Sequence, residues 1–162
     1  MTRRDLAKPR RHASKPAAAV VLLMAMGLAG CSTPSWLCFA PPGPSSITLI
    51  ALPDANGDSA IPVDLVFVSD RTAAQQISSL SAEQYFTRRT QLLRDFPTGI
   101  QVRSWELAPG QIARKAATNP TCNRVTTLLF VRLNSPGDHR QVLSGSSSPV
   151  VSLDAKDFVV SP

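Results

Sequence analysis

Three cysteines, Cys31, Cys38 and Cys122, carry the most reactive side chains of this 162-residue sequence. Cys31 closes an uncharged stretch and directly follows two small residues, Ala29 and Gly30, which leaves its thiol and the preceding peptide bond open to enzymes with narrow sites. Cys38 and Cys122 form an even pair, the arithmetic expected of a disulfide in an oxidising compartment. The other chemistry-bearing residues are scattered. His139 is the only histidine beyond the first thirty residues. It follows Pro136-Gly137-Asp138 and is expected to be a surface turn residue. His139, Cys38 and Cys122 show no spaced ligand cluster, so no metal is expected. Serines are abundant, but no Gly-x-Ser-x-Gly elbow occurs. Gly145-Ser146-Ser147-Ser148 lacks the lysine and following helix of a phosphate cradle. Asp154 and Asp157 fall in a turn and are expected to be solvated. Nothing in this inventory argues for an enzyme, and no cofactor is expected.

The segment that positions Cys31 is more informative. Arg3, Arg4, Lys8, Arg10, Arg11 and Lys15 stand against one acid, Asp5, and the uncharged run Ala17–Gly30 follows. A positive n-region, a short apolar region and small residues before a cut are the layout of an export signal. The run is too short for a helix that crosses the hydrocarbon core, which needs about 20 residues. Leu28-Ala29-Gly30-Cys31 resembles the lipobox of bacterial lipoproteins, and this implies a diacylglyceryl group on the Cys31 sulfur and cleavage just before it. The alternative is an ordinary secretory signal with an unrelated cysteine. Thr2-Arg3-Arg4-Asp5-Leu6-Ala7-Lys8 resembles a twin-arginine motif, but its distance from the apolar run favours a long basic n-region. By resemblance to lipoproteins of Gram-negative bacteria, the non-acidic Ser32 implies the outer membrane.

Of the net charge of +6, +5 belongs to this leader. Residues 1–30 hold six bases and one acid, which leaves eleven bases and ten acids in the remainder. With no basic patch there, nucleic acid is not an expected partner. About 130 residues suffice for one domain with one core. A Cys38–Cys122 disulfide would close a long loop, worth about 4–5 kcal/mol in the chain-entropy model; two unpaired thiols are the alternative. Residues 31–46, rich in Pro and Ser, read as the lipidated cysteine and a tether, because Pro-Pro-Gly-Pro builds neither helix nor inner strand. Trp36, Leu37 and Phe39 within it are suited to the bilayer interface or to docking on the domain.

The domain is expected over 47–162. Strands are expected at 47–52, 61–68, 100–107, 126–133, 141–143, 150–153 and 158–160 by β-branched content and alternation. Asn56-Gly57 marks a turn, since both residues tolerate positive φ; the acidic stretch around it lacks the ligand spacing of a calcium loop. Pro62 fits an edge or a first-residue position. A helical insert is expected at about 70–96. Asp70 caps its first part. Ser81-Ala82-Glu83-Gln84 opens its second as a capping box. Tyr85, Leu92 and Phe96 lie on one face of that helix, suited to packing on a sheet. Residues 111–124 are polar and ambiguous. Turn-separated strands with inserted helices point to a mainly β fold, a β-sandwich.

A family resemblance gathers these pieces. The lipobox, the tether, the first strand, Asn56-Gly57, Pro62-Val63, the aromatic pair Tyr85-Phe86 and the turn Leu107-Ala108-Pro109-Gly110 occur in an order that resembles the outer-membrane lipoproteins of type VI secretion systems, called TssJ or SciN. The likeness covers most of 47–112, with a more helical insert than in a typical member. It implies a transthyretin-like β-sandwich with added helices and a non-enzymatic role. It further implies a lipid anchor at the periplasmic face of the outer membrane and a grip on the inner-membrane protein TssM through loops of the sandwich. The stretches 109–125 and 134–148 are the first to consider, although no contact residue carries over. The alternative is a periplasm-facing lipoprotein that binds a small ligand or serves envelope maintenance. A small enzyme ranks last.

Overall fold

The computed structural model describes residues 43–118 and 123–162; the leader, Cys31, most of the tether, Cys38 and Cys122 lie outside the described residues. Among the described residues, eight strands form two four-stranded sheets. In the first, β1 (Ser46–Ala51), β4 (Ile112–Ala116), β7 (Val150–Leu153) and β8 (Phe158–Ser161) run in the order β4-β1-β7-β8. In the second, β2 (Ile61–Val68), β3 (Ile100–Leu107), β5 (Thr126–Val131) and β6 (Arg140–Val142) run in the order β3-β2-β5-β6. Two helices, α1 (Arg71–Ser78) and α2 (Ala82–Asp95), connect β2 to β3. The chain is thus a mainly β sandwich with a helical insert, as the alternation and capping signals predict.

The burial pattern follows from this layering. Ile47, Leu49 and Ala51 of β1, Val151 and Leu153 of β7, and Val63, Leu65 and Phe67 of β2 close on each other between the sheets. The helices cover the opposite face of the second sheet, where Ile77, Tyr85 and Leu92 pack on Val66, Val68, Leu128 and Phe130. β2 and β5 are therefore apolar on both faces, which is why their sequences read as runs rather than as strict alternation. Burying a Leu, Ile or Phe side chain contributes about 1.5–3 kcal/mol, so these two strands hold the three layers together.

Both helix starts are built as their sequences predict. The Asp70 carboxylate accepts from the Ala73 N–H at 2.8 Å. Ser81 and Gln84 exchange reciprocal bonds of 3.3 and 3.1 Å. Each satisfies N–H groups that the first turn leaves unpaired.

Three features depart from the sequence reading. β4 lies in the stretch that was ambiguous. It is an edge strand, with Ala113 buried and Ile112, Arg114 and Ala116 exposed, so its sequence carries little hydrophobic signal. Pro62 sits in an inner strand and not at an edge. It is tolerated because the β5 ladder begins only at Val63, and its carbonyl accepts from Arg132 N–H at 2.9 Å. β1 and β7 pair in parallel, with Thr48 opposite Val150, a pairing of residues a hundred positions apart that no local pattern encodes.

Candidate functional site at the loop end of the sandwich

The strand registers give the domain two ends. At one, the chain enters. Ser45 N–H donates to Ser147 O at 2.8 Å, and Ala117 N–H donates to Ser45 O at 2.9 Å. Gly43 faces the Arg124 guanidinium so closely that a Cβ there would lie 2.5 Å from it. This is the tether end. Val68, Ile100 and Thr126 of the second sheet lie on the same side. The far end gathers four connections: 52–60, 108–111, 132–139 and 154–157.

Those far-end loops are stitched together. Asn56 and Gly57 adopt φ of 53° and 59°, the left-handed region their types allow. The Asn56 side chain, itself buried, accepts from Asn134 N–H at 2.6 Å and donates to Ala60 O at 3.0 Å. Its backbone N–H donates to Asp154 O at 3.1 Å. Ser135 Oγ donates to Lys156 O, and Gly110 N–H donates to Leu52 O at 3.0 Å. The Asp154 carboxylate accepts from the N–H groups of Lys156 and Asp157, which hold it below the usual carboxylate range. Asp154 and Asp157 are exposed turn residues, as expected.

His139 corrects the sequence reading. It stands at a turn, with φ of 41°, but its ring is buried. Nε2 lies 3.2 Å from Ser135 Oγ and 3.0 Å from Ser135 O, and Nδ1 lies 3.5 Å from an Asp157 oxygen. The sequence could not show this, because the contacts join positions 135, 139 and 157 only after β7 and β8 fold back. The array has the residue types of a hydrolase triad, but its hydrogen bonds oppose that chemistry. A carbonyl oxygen only accepts, so Nε2 carries a proton and cannot take one from the serine. The serine proton already goes to Lys156 O, and Asp157 is largely exposed. These residues brace the 132–139 loop. Beside them, a cleft of about 410 Å³ between that loop and the start of α2 is lined by Glu83, Arg132, Asn134 and His139.

A second buried polar group lies under α2. Asp64, 3 % exposed, accepts from Tyr85 OH at 2.8 Å and from Arg89 Nε at 2.6 Å. Arg89 also donates to Ser104 Oγ at 2.9 Å. Tyr85 stacks on Phe130 with centroids 4.1 Å apart. Burial pushes the Tyr85 phenol far above its ordinary pKa, and the Asp64 charge pushes it further. Burial alone would lower the Arg89 pKa; the Asp64 carboxylate outweighs it and raises the net value. The group fastens the helical layer to β2 and β3.

The sequence reading singled out 109–125 and 134–148. The structure divides each between the two ends: 109–111 and 134–139 stand at the far end, whereas 117–118, 123–125 and 143–148 stand at the tether end. It also adds 52–60 and 154–157 to the far-end cluster, which the sequence marked only as turns. Cys31, Cys38 and Cys122 lie outside the described residues.

Compared by sequence, the chain matches no protein-family model and no curated protein. Compared by structure, it aligns with the type VI secretion lipoprotein TssJ1 from Pseudomonas aeruginosa, with a TM-score of 0.57 and 18% identity. That alignment covers 74% of this chain and 96% of the other. The fold is TssJ-like. Lip from Serratia marcescens, a membrane-bound component of the type VI secretion system, aligns with a TM-score of 0.55 at 8% identity, over 75% of this chain and 97% of the other. A chain of a type VI membrane complex aligns with a TM-score of 0.56 at 14% identity, over 72% of this chain and 96% of the other. A chain of the structure described as the TssM C-terminal domain from EAEC aligns over the same shares, with a TM-score of 0.54 at 14% identity. The TssJ-like fold thus spans nearly the full length of each matched chain while sharing few residues with it.

Proposed function

We propose that this protein is a non-enzymatic lipoprotein of a type VI secretion membrane complex, anchored to the outer membrane through a lipid on Cys31 and facing the periplasm. In this reading its TssJ-like domain holds the inner-membrane component, a TssM-like protein. The observation that carries the proposal is the alignment with TssJ1 over 96% of that lipoprotein's chain. The lipobox-like Leu28-Ala29-Gly30-Cys31 supports it independently, since it precedes the domain by a short Pro/Ser tether. The geometry adds direction. The tether joins at one end of the sandwich, so the far-end loops 52–60, 108–111, 132–139 and 154–157 are the part best placed to meet a protein spanning the periplasm. A lipid anchor confines the domain to a surface and raises the effective concentration of that contact.

The experiment is a crosslinking pull-down from envelopes, comparing the native protein with Cys31→Ser. Recovery of a large inner-membrane protein by the native form, and its loss with Cys31→Ser, is the expected result. Recovery of no such protein by either form would remove the secretion-complex reading and turn the search to small ligands.

A further inference from the structure

The near neutrality of the exported chain conceals a separation of charge. All of its charged residues lie from position 54 to position 157, and the strand registers, with the helices and loops that join the strands, place them toward one end or the other of the sandwich. The far end holds seven acids, Asp54, Asp58, Glu83, Glu106, Asp138, Asp154 and Asp157, against three bases, Arg132, Arg140 and Lys156. The tether end and middle hold the other eight bases and only three acids, one of which, Asp64, is buried against Arg89. Arg71 opens α1 beside the Val68–Ile100 edge of the second sheet, and Arg94 lies in the last turn of α2. Arg114 and Lys115 lie opposite Thr48 and Ile47 in the first half of β1. Arg71, Arg94 and Arg114 are exposed and Lys115 half-buried. Among the described residues, none of the four has a carboxylate within ion-pair distance.

We infer that the tether end is an electrostatic contact for an anionic lipid bilayer, and that the charge axis orients the domain with its loop end away from the membrane. Two observations converge on this occupant. The chain leaves the described domain at Gly43, at the basic end, and only eleven residues without charge separate Gly43 from Cys31. A tether of that length keeps the basic end within about 40 Å of the bilayer even when fully extended, and a relaxed chain of that length spans only about 20 Å, so the basic end repeatedly comes within the Debye length of about 8 Å over which the surface charge acts. Each basic residue near an anionic surface then adds attraction, while the seven far-end acids are repelled. The loop end therefore stays exposed to the periplasm without any contact to hold it there.

This inference deepens the anchoring reading and rests on it for the site of attachment, but its test does not need the lipid. The mature chain from residue 31, carrying Cys31→Ser, is sedimented with vesicles of equal parts phosphatidylglycerol and phosphatidylcholine, and with phosphatidylcholine alone. Binding to the anionic vesicles only, weakened by salt, is expected. Arg71→Gln with Arg114→Gln should reduce it by about fivefold per residue, and Arg94→Gln with Lys115→Gln should do the same. The matched far-end pair, Arg132→Gln with Lys156→Gln, should leave it within twofold. Equal losses from the two ends, equal binding to neutral vesicles, or no binding at low salt would each overturn the proposal. Failure of the anchoring reading would show separately, as a Cys31 of the native protein that carries no acyl mass.

Discussion

Tyr85 is the only tyrosine in the chain, so its ionisation can be read without interference from others. Its phenol donates to the buried Asp64 carboxylate, and ionising it would place two negative charges side by side in an apolar layer. The folded-state pKa is raised, so the linked stability is complete below the ordinary tyrosine value of about 10 and is lost as pH rises beyond it. A folded sample at pH near 11 should show no tyrosinate absorbance, and denaturant should release it. Early tyrosinate absorbance in the folded protein would mean that the Tyr85–Asp64 bond is absent. The same group makes an asymmetric mutational prediction. Arg89→Met strands a buried carboxylate with only the phenol, at about 3 kcal/mol. Asp64→Asn frees a guanidinium that is one-third exposed and can reach water, at about 1 kcal/mol. Urea titration of both variants tests the order.

At the scale of elements, the connections differ in what they ask of the sequence. The α2 start is local: Ser81→Ala should cost about 1 kcal/mol by removing the acceptor of its capping box, with little change elsewhere. The 52–60 connection is not local, because Asn56 fills a left-handed position and also holds Asn134, 78 residues away. Asn56→Ala should therefore cost more, about 2 kcal/mol. It should also accelerate amide exchange at Asn134, whereas Ser81→Ala should not. Equal exchange at Asn134 in both variants would show that the far-end loops are not coupled through Asn56. These elements were legible to different degrees. Both helices, the Asn56-Gly57 turn and β2 could be read directly, since capping residues, positive-φ residues and apolar runs act within a few positions. β4 escaped notice because an edge strand buries little, and a polar sequence such as Ile-Ala-Arg-Lys-Ala satisfies that requirement.

At the scale of the whole molecule, the tether end brings together two segments that the sequence keeps far apart. Cys38 lies five residues before Gly43 and Cys122 two residues before Arg124, and Gly43 faces the Arg124 guanidinium. Cys38 and Cys122 themselves lie outside the described residues; a disulfide between them, as their even count predicts, would fasten the tether to the domain. Thiol labelling of the exported, denatured protein should find no free cysteine before reduction and two after it. Labelling of both cysteines without reductant would reject the bond.

The sequence by itself determined the mainly β character, the helical insert and the order of elements that resembles the type VI secretion lipoproteins, and it is the sole ground for proposing a leader and an anchor at Cys31. Those features rest on hydropathy, capping and turn chemistry, which act over short stretches of chain. Only the tertiary structure decided the parallel partner of β1, the burial of His139 and the meeting of four separate loops at one end. It also decided the sorting of acids to that end and of most bases to the other. Each of these depends on which distant residues a sheet register brings together, and a register is set by the packing of a core that no single segment contains.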